Sequence, residues 1–398
     1  LYRVVNAVIG PDLASDLALG PASLGLLTST YFISFASFQL PLGVLLDRYG
    51  PKRTEAALLL FAGLGALVFS KAQTAAGLMV GRALIGFGVS ACLMAAFKAY
   101  TMWFPRKQWP LVNGFQMASG GLGVLAATSP VEAMLGFTDW RGVFTLLAFL
   151  TLVVSVLIFT VVPEREDNND TGDFGEQLRG IRQVFTSLSF WRTAPVTTMS
   201  QASFLAIHSL WSGPWLRDVA GMSREQGAGV LFWVALAMIA GWISLGGLAA
   251  RLDRKKISIV STAVAGMGCF MAVQLLLLVC PVSWALPVWL LFGFFGTTGI
   301  IAYAGLTRAF DVSLSGRVTT ALNLLVFVTA FAGQWAIGWV IGLWPQGAAG
   351  GYAEEGFRAG FLMMLGFQTA ALIWFFAAGR LISFQKTRSQ IEEQVGKP

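Results

Sequence analysis

At 398 residues the chain is 56% hydrophobic and only 12% charged, with a mean hydropathy of +0.69 and a formal net charge of +7. A soluble domain carries about 25% charged residues, so this composition excludes a water-coated globule and predicts a polytopic membrane protein with lipid as its main solvent. The 45 glycines fit close helix approach, and the 14 tryptophans and 31 phenylalanines fit an interfacial belt and a lipid-facing surface.

Apolar runs occur at 1–11, 23–46, 55–71, 76–102, 110–134, 142–162, 194–217, 227–250, 257–280, 284–307, 318–345 and 358–382. Most reach about 20 residues, enough to cross about 30 Å of hydrocarbon as a helix. The first is too short and starts without methionine, so the expectation is a helix cut off from its beginning rather than a signal peptide. The connecting loops alternate between two sides. The set 47–54, 103–109, 163–193, 251–256, 308–317 and the tail from 380 holds 19 of the 27 Lys and Arg. The opposite set holds only Lys71, Arg141, Arg217, Arg224 and Arg358, and Arg3, Arg82 and Lys98 lie inside runs. The positive-inside rule then puts the basic loops and both termini in the cytoplasm of a cell (inner) membrane. The +7 is a topology signal that needs no nucleic acid. Cys92, Cys269 and Cys280 fall in or at the ends of apolar runs and read as packing residues, not disulfides or metal ligands.

The runs divide six and six around the polar stretch 163–195. The expected organisation is a six-helix bundle over 1–162, a cytoplasmic linker over 163–193, a second bundle over 194–383 and a tail over 384–398. Within the linker, Phe174, Leu178, Ile181, Phe185 and Leu188 recur at helical spacing, either a surface-lying amphipathic helix or a plain connection. "GVLLDRYGPKR" at 43–53 and "GLAARLDRKK" at 247–256 follow the second and eighth runs, 204 residues apart. "GRALIGFG" at 81–88 and "WLLFGFFG" at 289–296 repeat at a similar offset. Duplicated six-helix halves point to a transporter with its solute site near mid-membrane between the repeats.

"GVLLDRYGPKR" resembles the cytoplasmic loop between helices 2 and 3 of the major facilitator superfamily, G-x-L-x-D-R-x-G-R-R, through Gly43, Leu45, Asp47, Arg48, Gly50 and Arg53; Pro51 and Lys52 depart from it. Arg82, Gly86 and Gly88 resemble the family's R-x-x-x-G-x-G element in helix 4. The resemblance, to the bacterial type, implies an all-α fold of twelve transmembrane helices in two pseudo-symmetric six-helix halves, the first helix truncated. The loop chemistry is readable on its own. Gly43 permits a close helix contact, Gly50 with Pro51 forces a turn, and Asp47 at the membrane edge needs a helix N-terminus or a cation. The resemblance further implies that Gly43, Asp47, Arg48, Gly50 and Arg53 form a conformational latch onto the start of helix 11, here Ser315–Thr319 with a serine as candidate N-cap. In the second copy Arg251 stands at the aspartate position and Asp253 is displaced, which argues against a symmetric second latch.

Ionisable groups inside spans are costly and mark sites by default. At 1.5 Å per residue, Arg3 lies about 12 Å, Arg82 about 10 Å and His208, the only histidine, about 12 Å from the outer ends of their helices. Asn6, Tyr31 and Trp211 lie within a turn or two of that level, and Asn323, Gln334 and Trp335 mark an inward face of helix 11, as Gln116 does in helix 5. Pro214 and Gly213 place a bend in helix 7 that could gate the outer mouth. All 20 Asp and Glu fall in loops, the tail or helix ends, with Asp12 and Glu132 nearest the membrane at external ends. A buried cation without a partner is expensive, and an anionic solute would resolve this, with arginine's fork suited to carboxylate or phosphate. The expected solute contacts are Arg3, Asn6, Tyr31, Arg82, His208, Trp211 and Asn323. Each charged group also has a structural alternative: Arg82 bonding backbone carbonyls, Arg3 pairing within a preceding segment, His208 as a neutral packing group, Lys98 snorkelling to the cytoplasmic surface.

The reading is a secondary active transporter that moves a small organic anion by alternating access, by proton coupling (symport) or by exchange (antiport). Alternatives are an exporter of amphipathic compounds or siderophores and, in another class, a non-transporting membrane sensor. Nothing resembles a nucleophile elbow, phosphate loop or metal-spaced cluster, so an enzyme, a cofactor and a bound metal are not expected. The partners expected are the solute, the bilayer and, for coupling, protons or a counter-anion, with the protein a monomer.

Overall fold

In hydrocarbon every backbone N–H and C=O must be satisfied within its own segment, so apolar runs of this length fold as helices. The structure, a computed structural model, describes residues 1–164, 174–311, 314–345 and 351–395, and helix is the only regular structure among them. Eight of the described helices are individually long and apolar enough to cross a membrane. The full set of twelve spans emerges when interrupted helices are followed through their breaks.

Span 1 is Asn6–Asp16. Span 2 starts as Pro21–Ser37 and continues over 39–49; span 3 runs over 51–71. Span 4 is Ala75–Trp103, and span 5 is Trp109–Ala126 followed by Ser129–Leu135. Span 6 is Trp140–Val161. After the linker helix Phe174–Phe185, span 7 joins Leu188–Ala206, Ile207–Trp211 and Ser212–Asp218. Spans 8 to 12 are Arg224–Arg254, Ile259–Val279, Val282–Thr307, Ser315–Ile341 and Glu354–Leu381.

Local residues explain the reversals. Gly50 has φ 73° and ψ 166° between spans 2 and 3, a conformation closed to most L-residues, and Pro51 then opens the next helix. Thr74 and Asp139 cap spans 4 and 6 through their side chains, and Ser223 with Gln226 forms a reciprocal capping box at span 8. Through Gly213–Pro214, where a bend was expected, the chain is helical over Ser212–Asp218, and the irregularity in span 7 is a π-helical turn just before it, over Ile207–Trp211.

The R-x-x-x-G-x-G element of span 4 presses on three neighbours at once. Arg82 donates to the Tyr2 carbonyl of the chain leading into span 1 (2.9 Å), a Cβ on Gly86 would collide with the Tyr31 carbonyl of span 2, and one on Gly88 would collide with Ala62 of span 3. The linker helix docks on the start of span 11. Val184 is buried with Leu306 and Val318, and Gly180 lies against Arg317, so this helix is held by protein on that side. The side chains of Phe174 and Leu178 lie outside the described residues, as does the tail beyond 395.

The core shows how the halves meet. One buried cluster runs through both, including Tyr31, Phe35 and Leu24 of the first half and Trp211, Phe327 and Ile337 of the second. Toward the Asp47 end the apolar packing divides. Leu42, Leu46, Leu58 and Ala95 form one cluster in the first half, while Phe190, Leu306 and Leu322, and separately Val196, Met267 and Phe375, form clusters in the second. The three cysteines are free, and Cys269 is exposed rather than packed as expected.

Candidate functional site

Arg3 is the cation that reaches across the halves. Its guanidinium lies over the ring of Phe327 in span 11, 5.4 Å from the centroid. Phe327 packs in turn on Phe35 (4.3 Å) and Phe32 (5.9 Å) of span 2, and Tyr31 stacks on Phe35 at 6.2 Å. Arg3 is also in electrostatic range of the Tyr31 and Tyr303 hydroxyls. Tyr303 donates a 2.8 Å hydrogen bond to Asn323 Oδ1, which brings spans 10 and 11 into the same locus. Arg3 and Tyr31 thus lie together beside Phe327, and Asn323, another of the expected solute contacts, lies one turn before Phe327 on span 11. No carboxylate pairs with Arg3 among the described residues. A guanidinium with one face on an aromatic ring, a tyrosine hydroxyl beside it and no carboxylate partner has fork donors suited to a carboxylate, sulfonate or similar oxyanion.

The other expected contacts lie elsewhere. Arg82 is buried inside the first half, over the rings of Phe69 (5.3 Å) and Phe144 (5.7 Å), with Nε and Nη2 unpartnered beyond its bond to Tyr2. His208 is buried in the second half, its ring stacked on Phe204 at 5.3 Å, and Phe204 packs on Phe270 and Phe292. The shared depth of Arg3, Arg82 and His208 thus conceals three different directions. Asn6 donates to Thr28 Oγ1 (2.9 Å), tying span 1 to span 2. Trp211 is wholly buried and donates to the Gln334 carbonyl (3.0 Å). Gln334 itself donates to Ser209 (2.8 Å), while the neighbouring Trp335 is exposed, so the expected inward face of span 11 holds for Asn323 and not for Trp335. Gln116 accepts from Tyr100 (2.8 Å) beside a cavity of about 980 Å³ lined by Asp47, Glu55 and Cys92 of the first half and Glu164 at the start of the linker.

At the end away from Asp47 the halves are shut against each other. A Cβ on Gly213 of span 7 would overlap the Ala7 carbonyl of span 1, and one on Gly338 of span 11 would overlap the Pro21 carbonyl of span 2. Gly25 lies 3.0 Å by the same measure from the Gln334 carbonyl and 3.2 Å from the Trp211 ring. Arg224, opening span 8, binds Asp12 of span 1 with both guanidinium arms (2.6 and 2.7 Å) and reaches Glu132 of span 5 at 3.1 Å. Asp12 and Glu132 stand out in the sequence only as carboxylates at helix ends. Their common cation could not be foreseen, because it comes from the other half.

The Asp47 end is organised within each half. Asp47 pairs with Lys98 (2.5 Å) and Arg53 with Glu164 (2.6 Å), so the Lys98 ammonium reaches the carboxylate at the end of span 2. Ser315 is not an N-cap; the cap residue is Leu314, with no side-chain hydrogen bond. In the second half Asp253 pairs with Arg308 (2.9 Å). The displaced aspartate therefore repeats the Asp47–Lys98 arrangement, each linking the end of a repeat's second span to the end of its fourth.

Comparison with known proteins agrees with this architecture. The family model described as Major Facilitator Superfamily matches residues 1–334. The chain is 25% identical over 351 residues to the hexuronate transporter of Bacillus subtilis (strain 168), covering 85% of this chain and 76% of that protein. It is 23% identical over 262 residues to a probable sulfoacetate transporter of Cupriavidus necator, covering 62% of this chain and 60% of the relative's length. Among solved structures, a bacterial homolog to the human lysosomal transporter Spinster superposes with a TM-score of 0.74 at 15% identity, covering 95% of this chain and 93% of that one. Fold, motifs and family match converge: the chain belongs to the major facilitator superfamily.

Proposed function

We propose that the protein carries a small organic anion through the membrane by alternating access, with Arg3 as the group that holds the negative charge. The observation that carries this reading is the position of Arg3, seated on Phe327 of the opposite half with no carboxylate partner among the described residues. Burying a cation without neutralisation costs several kcal/mol, and a solute anion removes that cost while present. The named activities of the relatives support the same class: hexuronate, sulfoacetate and, in an Escherichia coli relative 23% identical, L-galactonate are organic anions.

The basic loops favour placing the Asp47 end and both termini in the cytoplasm of an inner membrane. On that assignment the Arg224 end faces outward, and the closed contacts there together with the divided core at the Asp47 end describe an inward-facing state. The two six-helix halves, 1–162 and 194–383, then rock about the Arg3–Phe327 level. Asp47 and Arg48 take up the latch on span 11 only when the inner side closes, leaving Asp47 with Lys98 in the state seen here. Arg82 and His208 act as packing groups of their own halves, and Arg3, Tyr31 and Asn323 remain as solute contacts.

The test is uptake into proteoliposomes with radiolabelled glucuronate and other monocarboxylates as probes. Arg3→Gln abolishes uptake and anion-induced thermal stabilisation, and Arg3→Lys retains a weakened form of both because it keeps the charge and loses the fork. Stabilisation of the wild-type protein by cationic dyes alone, with anions inert, would overturn the reading.

A further inference from the structure

This inference rests on the reading of Arg3 as the anion receptor and concerns what else the solute must carry. Asn323 lies four residues before Phe327 on span 11, so the two side chains are neighbours on one helix face, about 5–6 Å apart at Cβ. The guanidinium of Arg3 sits over the Phe327 ring, which puts the Asn323 amide one turn from the anion receptor. An asparagine amide offers an accepting oxygen and a donating nitrogen, and its surroundings decide which end faces the ligand. Here Oδ1 is already occupied by the Tyr303 hydroxyl at 2.8 Å. Nδ2 has no partner among the described residues and is not among the buried unpartnered atoms, and Asn323 is only half-buried. Tyr303 comes from span 10, has no other hydroxyl bond among the described residues, and itself lies in the electrostatic range of Arg3.

We propose that Tyr303 is a positioning residue: by holding Asn323 Oδ1 it turns the amide N–H donors toward the solute path, so the site selects anions that carry a second oxygen acceptor, a hydroxyl or carbonyl, about one helical turn from the charged group. The solute class is then a hydroxylated or oxo-substituted acid in preference to a bare alkyl acid. A site built to hydrogen-bond a substrate oxygen rejects analogues lacking it, because its own donor is left unpaired.

The experiment measures dissociation constants of the purified full chain for two matched pairs, D-glucuronate with cyclohexanecarboxylate and 4-hydroxybutyrate with butyrate. The wild-type protein prefers the oxygenated member of each pair. Tyr303→Phe removes the hydroxyl, keeps the ring, and weakens the oxygenated acids roughly three- to tenfold, the equivalent of one hydrogen bond, with the bare acids unchanged. Asn323→Ala removes the donors without adding a charge beside Arg3 and gives the larger loss of discrimination. A merely structural role for Tyr303 would weaken both members of a pair alike, and that outcome overturns the inference, as does a wild-type protein that does not discriminate. Arg3→Gln separates this from the underlying reading: loss of all four acids upholds the anion receptor whatever Tyr303→Phe does, and undiminished binding of all four removes both.

Discussion

Removing Arg224 should open the end of the protein at which the halves are now shut. Arg224 opens span 8 in the second half, and both of its carboxylate partners, Asp12 and Glu132, belong to the first. Its side chain is 44% exposed, and Asp12 and Glu132 are 25% and 17% exposed. Fully exposed ion pairs contribute about 0.2–1 kcal/mol, and hydrogen bonds to charged groups about 1.5–3 kcal/mol. Bidentate geometry at partial exposure places the cluster between them, at about 1–2 kcal/mol, or roughly a 5–30-fold change in the balance of closed and open forms. Arg224→Gln also leaves two carboxylates facing each other, which pushes in the same direction. The assay is electron–electron distance measurement between spin labels at Phe137 and Trp284, exposed residues at this end of the two halves, after replacement of the three native cysteines. Arg224→Gln lengthens the mean distance, and Asp12→Asn gives a smaller lengthening. An unchanged distribution in Arg224→Gln would refute the lock, and closure restored by combining Arg224→Asp with Asp12→Arg would establish that charge pairing is its cause.

Three further outcomes follow from the packing. Gly213→Ala drives a methyl group into the Ala7 carbonyl at a cost of about 1–3 kcal/mol and lengthens the same spin-label distance, whereas Gly268→Ala, which meets nothing within 4 Å, leaves it unchanged; equal effects would refute the close-approach argument. Asp47→Asn slows uptake more than Lys98→Gln does, because Asp47 serves Lys98 in this state and the latch in the other; equal slowing would reduce Asp47 to the partner of Lys98. Trp211→Phe loses the indole bond to the Gln334 carbonyl and lowers the thermal unfolding midpoint by the equivalent of about 1 kcal/mol, and an unshifted midpoint in scanning fluorimetry would rule that bond out as a source of stability.

Features decided within one segment were legible before any coordinates. Gly50 and Pro51 fix a turn by their own conformational limits, whereas the close approach at Gly86 is seen only once span 2 is in place. The helix count follows from hydropathy, and the internal repeat from two motif pairs at a common offset. Direction around a helix axis was harder, since residue spacing fixes depth and leaves orientation to packing. Gln334 and Trp335 are adjacent, so about 100° separates them on the helix, and only one could face inward. Arg3, Arg82 and His208 share a depth, yet each has different surroundings: Arg82 a carbonyl and two phenyl rings, His208 an aromatic cluster, Arg3 a ring supplied by the opposite half. The first two have all these contacts within a single bundle, although Arg82 Nε and Nη2 and His208 Nε2 are buried without a partner among the described residues, and those contacts are kept as the halves move. Arg3 alone of the three has surroundings that depend on which state the halves adopt, and a solute can be bound on one side and released on the other only where the environment of the binding group changes between states. That dependence, more than its charge, is why the proposed anion site is placed at Arg3 and not at Arg82 or His208.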